Sequence, residues 1–462
     1  MGSEVPVVPA NASTTSIDKE NGVMKLADPT ELDAGALFVL KSEGSWLHCG
    51  YHLTTSVVSP ALLSLPFALA LLGWVSGLIC LTLGALVTFY SYTLLSVVLE
   101  HHAKLGQRQL RYRDMARDIL GPRWGKYLAG PLQLGLCSGG AVAQILLGGQ
   151  SLHFVYMLSS QNGTMKLIHF IFLFGILMLF LAQFPSFHSL RHINLVSLIV
   201  CLAYGSCATA GAILIGNSKS APTKDYSVSG TEEHRSFGTF TAISIIISTY
   251  GCAVLPQIQA TIAPPVKSKM LKGLCICYAV TVTTYFSTAI SGYWAFGNQA
   301  MGKGVLANFM GADQKPLLPT WFLLMTNVFI LFQVSASTLV FFQPINEELE
   351  KTFADPNRDQ FSARNVVPRV IFRSIAVIIA TLIASMLPFF GDIVAVIGAF
   401  ACIPLDLILP MVFYNVTFKP SKHSLIFGVN TFIAIVSAVL TIGGAVASIR
   451  QLVLDSKTHH LV

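Results

Sequence analysis

Residues 52–74 read HLTTSVVSPALLSLPFALALLGW. The stretch is apolar over the ~20 residues that a helix needs to cross a bilayer. Yet it carries Ser59-Pro60-Ala61 at its middle and Pro66 beyond. A proline inside a helix removes one backbone hydrogen bond and clashes with the preceding turn. The same combination returns at 237–262, FGTFTAISIIISTYGCAVLPQIQATI, with Gly251 and Pro256 at the centre. Two bilayer-length segments are therefore expected to break halfway.

Around these two lie further apolar segments. The full set is approximately 45–72, 74–99, 127–159, 167–183, 194–216, 237–263, 273–293, 318–342, 369–388, 393–413 and 425–449. The chain has 462 residues, 53% hydrophobic and 11% charged, against about 25% charged in a soluble domain. Backbone polar groups in lipid must be satisfied within their own segment, which leaves helices. The expected fold class is an all-α membrane protein of about 11 transmembrane helices.

The first ~35 residues are polar and lack an apolar core, so 1–35 reads as a disordered tail rather than a cleaved signal peptide. The transmembrane domain is expected over 36–449, with a short C-terminal tail at 450–462. If the N-terminus is cytoplasmic, the tail and the loops 100–126, 184–193, 264–272, 343–373 and 414–424 hold about 21 of the 29 Lys plus Arg, which obeys the positive-inside rule. Eleven spans then put the C-terminus outside, where Lys457, His459 and His460 weigh little either way. Within the 100–126 loop, Tyr112, Met115, Ile119 and Leu120 recur at helical spacing opposite Arg111, Arg113, Asp114 and Arg117, up to Gly121-Pro122. That pattern predicts a helix lying on the inner leaflet, the alternative being an ordinary solvated loop helix. Asn162-Gly163-Thr164 is a glycosylation sequon in a very short outer loop, too close to the membrane to be used; those at Asn11 and Asn415 fall on the cytoplasmic side.

The second interrupted segment comes five spans after the first. An odd number places the second block of five on the opposite face, the pattern of an inverted repeat: repeat one at about 45–216, repeat two at about 237–413, and an extra helix at about 425–449. Paired interruptions in such halves point to a transport site at the midplane. Where a helix restarts, its first N–H groups lack partners and carry positive partial charge. Ser59, Ala61, Leu62 and Leu63 would offer such donors to a carboxylate. Unwound carbonyls around Ser248, Thr249, Tyr250 and Gly251 would accept an ammonium. A small zwitterionic amino acid satisfies both ends. The competing reading is that the prolines only kink packed helices.

Intramembrane acids are costly and therefore informative. Asp406, in IPLDLILP (403–410), is either a proton carrier or a structural cap between Pro404 and Pro410. Asp392 is expected at the outer rim, capping the next helix. His52 could titrate near neutral pH or simply pack. Asn327, Gln333 and Gln144 read best as interhelical hydrogen-bonding groups. The nine cysteines all fall in apolar stretches, so no disulfide framework is indicated. No P-loop, HExxH, GxSxG or dinucleotide fingerprint is present, and no nucleic-acid-binding pattern, metal motif, cofactor motif or protein-partner motif. No loop could house a nucleotide-hydrolysing domain, so the energy source would be an ion gradient, or transport would be passive.

The stretches LSLPFALALLGW (63–74), PQIQATI (256–262), GYWAFGN (292–298), FRSIAVIIATLIASMLPFFGDI (372–393) and GAFACIPLDLILP (398–410) resemble the amino acid/auxin permease family. LHCGYHLTTSVVSPALLSLPFA (47–68) and QFPSFHSLRHIN (183–194) are similar to its plant γ-aminobutyrate (GABA) transporter branch. The resemblance implies a LeuT-like fold, that of the bacterial leucine transporter, with eleven spans and a cytoplasmic N-terminus. It also implies proton-coupled uptake at the plasma membrane. Two positions depart from the family pattern. Relatives carry Gly-Ser-Gly where this chain has Ser59-Pro60-Ala61, and Glu where it has Gln257, which cannot titrate. The coupled proton would then fall to Asp406 or a histidine such as His52, or coupling would be weak. The expected function is a secondary transporter, a proton symporter for GABA and related amino acids. The alternatives are a carrier of proline, broad neutral amino acids or auxin, and, from another class, a non-transporting amino-acid sensor.

Overall fold

The computed structural model describes residues 44–107, 109–160, 163–183, 191–218, 221–228, 230–252, 254–263, 265–300, 304–311, 315–353 and 362–458, together with Thr15–Ser16 and Lys25–Leu26, which pair antiparallel. The rest of the expected tail, the Asn11 and Asn162 sequons, and His459 and His460 lie outside the described residues. The helices are α1 (Trp46–Val57), α2 (Leu65–Leu72), α3 (Trp74–Lys104), α4 (Tyr112–Leu120), α5 (Gly130–Ser159), α6 (Leu167–Leu181), α7 (Arg191–Gly216), α8 (Glu232–Tyr250), α9 (Leu255–Ala260), α10 (Val266–Phe296), α11 (Thr320–Phe353), α12 (Ala363–Met386), α13 (Phe390–Ile397), α14 (Leu409–Phe418) and α15 (Leu425–Thr458).

Among the described residues, nine helices are long and apolar enough to cross a membrane, and the pair α1 and α2, bent by 45°, makes a tenth. α6 corresponds to the expected 167–183 segment but has only 15 residues, so the eleven-span count rests on it. Lipid contact explains the outer surface. Val75, Ile79, Leu83 and Leu86 form an exposed stripe at helical spacing on α3, and Phe432, Ile435, Val439, Ile442 and Val446 form another on α15. Such stripes are a liability in water and the ordinary solvent contact in a bilayer. α15 continues nine residues beyond the expected boundary at 449.

Between α13 and α14 the chain winds as a wide π-helix over Gly398–Ile408, with Pro404 inside it. Such i→i−5 turns recur at functional sites. Asp406 sits on this stretch. Asp392 is not a cap: Phe389 holds the N-cap position, and Asp392 lies buried in the first turn of α13 with Asp455 of α15 beside it.

The loop helix α4 forms over Tyr112–Leu120 as the periodicity requires, but it does not lie on lipid. Tyr112, Met115 and Ala116 are fully buried in the protein, against α14 and the start of α5. Arg113 pairs with Glu348 at the end of α11 at 2.5 Å. At the opposite end of the bundle, residues 221–228 fold back over α2 and α10. Asn298 N–H donates to the Asp225 carbonyl at 2.7 Å, and Trp74 packs its ring against Tyr293 and Tyr226. The Ser227 N–H and hydroxyl and the Asn298 amide hold the Asp225 carboxyl below the usual carboxylate range.

Helices in a bundle of this kind approach closest at small residues. At Gly398 a Cβ would collide with the Ser244 backbone carbonyl of α8, which cannot swing away. At Gly428 nothing lies within 4 Å. We expect Gly398→Ala to lower stability by about 2 kcal/mol, read as a lower melting midpoint of the detergent-solubilised protein. Gly428→Ala should leave that midpoint unchanged or slightly higher.

Candidate functional site

Both interrupted segments are broken. In the first, α1 ends at Val57; Val58 and Ser59 are extended; a 3-10 turn spans Pro60–Ser64; and α2 begins at Leu65. Pro60 opens the turn, and Pro66 lies in the first turn of α2. In the second, α8 ends at Tyr250, Gly251 is extended, and α9 restarts at Leu255 with Pro256 in its first turn. Proline in a first turn forfeits no intrahelical bond, because that N–H has no partner anyway. The prolines therefore start new helices rather than kink continuous ones.

Gly251 has φ −63° and ψ 140°, a conformation open to any residue. Space is what requires glycine. A Cβ there would lie 3.0 Å from Asp406 Oδ2, 3.1 Å from Cys402 Sγ and 3.3 Å from the Ser248 carbonyl.

Breaking a helix strands its carbonyls, and here tyrosine hydroxyls collect them. Tyr285 of α10 lies 2.8 Å from the Val57 carbonyl and 2.6 Å from the Thr249 carbonyl, so one hydroxyl ties the two breaks together. Its oxygen also takes the Ser59 N–H. Tyr92 of α3 donates to the Tyr250 carbonyl at 2.9 Å. Tyr112 of α4 reaches the Cys252 carbonyl at 3.5 Å and Asp406 Oδ1 at 3.3 Å. The Val58 carbonyl accepts from Cys201 Sγ at 3.2 Å. None of the three tyrosines stands out in the sequence as a site residue. For Tyr92 and Tyr285 the available signal is a phenol inside a bilayer-length helix, whose hydroxyl needs a partner when buried.

The expected site residues divide into two groups. Ser59, Ala61, Ser248 and Gly251 are partly exposed at the breaks, where the 3-10 turn packs against α8. Leu62, Leu63, Thr249 and Tyr250 are buried. The Tyr250 ring turns away toward α3, with its hydroxyl on the Leu81 carbonyl at 3.2 Å and its face over Tyr278. The Ser248 carbonyl takes Gly251 N–H at 3.3 Å. The carbonyls at this break are thus already engaged, each with one further lone pair to offer. On the donor side, Pro60 has no N–H, and the first bond of the 3-10 turn runs from Leu62 N–H to the Ser59 carbonyl at 3.1 Å. That leaves Ala61 as the donor at the turn's mouth.

Asp406 is fully buried, and its Oδ2 has no hydrogen-bond partner among the described residues. Ser91 of α3 donates to its backbone carbonyl. His52 is not brought to Asp406: it stacks on Tyr51 and sits beside His48 at 4.3 Å, in the first half of the broken span. Gln257 of α9 is partly exposed. Gln333 accepts from Ser197 at 2.6 Å and so joins α11 to α7, the interhelical role expected of it. Gln144 and Asn327 are buried with unpaired side-chain oxygens.

A family model described as "Transmembrane amino acid transporter protein" matches residues 42–453. The chain is 54% identical to GABA transporter 1 of Arabidopsis thaliana over 93% of its own length and 95% of that protein's. It is 30% identical to Lysine histidine transporter-like 6 of the same plant, over 90% and 92%. Among solved structures, a Na+-coupled sialic acid symporter in a substrate-bound outward-open state superposes with a TM-score of 0.52 at 11% identity, covering 90% of this chain and 92% of that one. That likeness is one of fold alone, and the fold is LeuT-like. A helical bundle of that fold, two facing breaks at bilayer depth and a family match over nearly the whole length agree: this chain belongs to the family of transmembrane amino acid transporter proteins.

Proposed function

We propose that the protein is a multi-pass plasma-membrane carrier that takes up GABA and related small zwitterionic amino acids by alternating access, in symport with protons. The observation that carries this is the meeting of the two breaks at the Tyr285 hydroxyl. One break offers the positive end of a restarting helix and the other a set of backbone carbonyls. Ala61 N–H, with Ser59 beside it, takes the substrate carboxylate. The remaining lone pairs at Ser248 and Thr249, with the Ser248 hydroxyl and the space at Gly251, take the ammonium. Leu62, Leu63 and Tyr250 act as the packed frame of that gap. The 54% identity to a GABA transporter supports the choice of cargo.

Asp406 carries the coupled proton in this reading, since Gln257 cannot titrate and His52 sits apart. The chain is arranged as repeat one (45–216), inverted repeat two (237–413) and an extra helix from 425, with the N-terminus in the cytoplasm and the C-terminus outside.

In proteoliposomes, radiolabelled GABA should accumulate with an inward proton gradient and only equilibrate without one. No GABA uptake under either condition would reject the proposal, and competition by unlabelled proline or auxin would redirect it to another cargo. Gly251→Leu should abolish uptake while the protein still reaches the membrane, because the side chain has nowhere to go. Ala61→Pro should remove the open N–H of the turn without adding charge and loosen the turn at Pro60, raising KM at least tenfold. Wild-type kinetics from either variant would count against this placement of the site.

A further inference from the structure

One buried phenol links the cytoplasmic-loop helix to the acid behind the site. Tyr112 opens α4, is fully buried, and has two acceptors within reach: Asp406 Oδ1 and the Cys252 carbonyl in the gap of the sixth span. A phenol has one proton and serves one acceptor at a time. α4 itself is anchored elsewhere, through Arg113 to Glu348 of α11 and by packing on α14 and α5.

The titratable groups that face Asp406 are Tyr92 from α3, Tyr112 from α4, Cys252 from the gap, Tyr278 from α10 and Cys402 on its own helix. None of these side chains can carry a positive charge. No basic side chain pairs with Asp406 among the described residues, and α5 and α15, which also pack on this stretch, bring no charge to it. The ionised acid therefore depends on neutral donors, the Tyr92 and Tyr112 hydroxyls and the Cys252 N–H. Its unpartnered Oδ2, pressed toward Gly251, is the open position for a proton.

We infer that Tyr112 is the positioning residue for the coupled proton, switching its hydroxyl between Asp406 and the Cys252 carbonyl. With Asp406 ionised, the hydroxyl donates to Oδ1 and the Cys252 carbonyl goes without it. When a proton from the aqueous side adds to Oδ2, the neutral acid no longer needs that donor. Tyr112 keeps its own proton and turns it to Cys252, tying the unwound stretch to α4 and, through Arg113 and Glu348, to α11. Protonation is thereby transmitted to the element that must move. This inference rests on Asp406 being the proton carrier.

The test is uptake of GABA against external pH for Tyr112→Phe, Asp406→Asn and the wild type, each normalised to protein in the membrane. Removing a donor from the carboxylate favours its protonated form. Tyr112→Phe should move the half-maximal pH about one unit alkaline. A fluorinated tyrosine at position 112, a stronger donor of the same shape, should move it the other way and keeps the question open to measurement if the Phe variant does not fold. Asp406→Asn should flatten the profile. A flattened Asp406→Asn profile beside an unshifted midpoint in both position-112 variants would overturn the switch while leaving the proton site standing. An unchanged Asp406→Asn profile would remove the proton site and this inference with it.

Discussion

The structure depends on one constraint: a backbone opened inside a bilayer must find hydrogen-bond partners that water cannot supply there. An intact helix meets that need internally. Each break here strands carbonyls, and leaving a buried polar group unmatched costs about 1–3 kcal/mol. Three tyrosines from three different elements (Tyr285 of α10, Tyr92 of α3 and Tyr112 of α4) reach in with rigid arms to meet it. Tyrosine suits the task because its ring belongs in the apolar interior and its hydroxyl sits a fixed distance from the backbone. Gly251 and Gly398 let α8 and its break approach the π-helical stretch that carries Asp406.

Much of the fold was legible from pattern. Bilayer-length apolar runs located the helices, and the prolines marked both breaks, because Pro60 and Pro256 can open a helix but not continue one. The division of the site residues was not legible. In composition Tyr250 looks like a polar residue at an unwound centre, whereas its ring packs toward α3 and only its carbonyl belongs to the break. Tyr285 is hard to single out, because a tyrosine in an apolar helix counts as apolar until its hydroxyl's partner is known. The periodicity of α4 marks its apolar face but not its surroundings: an amphipathic stripe says that a side is buried, not whether lipid or protein buries it. Gln257 drew notice only through the family pattern.

The hydroxyl stitching also bears on motion. Tyr285 has two carbonyls within 2.8 Å and Tyr112 has two acceptors within 3.5 Å, while each phenol carries a single proton. One acceptor of each pair is therefore always short of a donor from that hydroxyl. Tyr92 likewise reaches two acceptors, the Tyr250 carbonyl and the Asp406 carboxyl. A hydroxyl with two acceptors has two hydrogen-bond arrangements open to it, and elements with two discrete arrangements can turn small local changes into movements of whole elements. Alternating access needs two conformations close in free energy, and a ligand shifts their balance only by binding one better than the other. In the proposed site a substrate ammonium would take the second lone pair of the Thr249 carbonyl and weaken that carbonyl as an acceptor for Tyr285. Its arrival would bias that hydroxyl toward Val57 and so toward the first broken span, which gives the cargo itself a differential grip on the two halves.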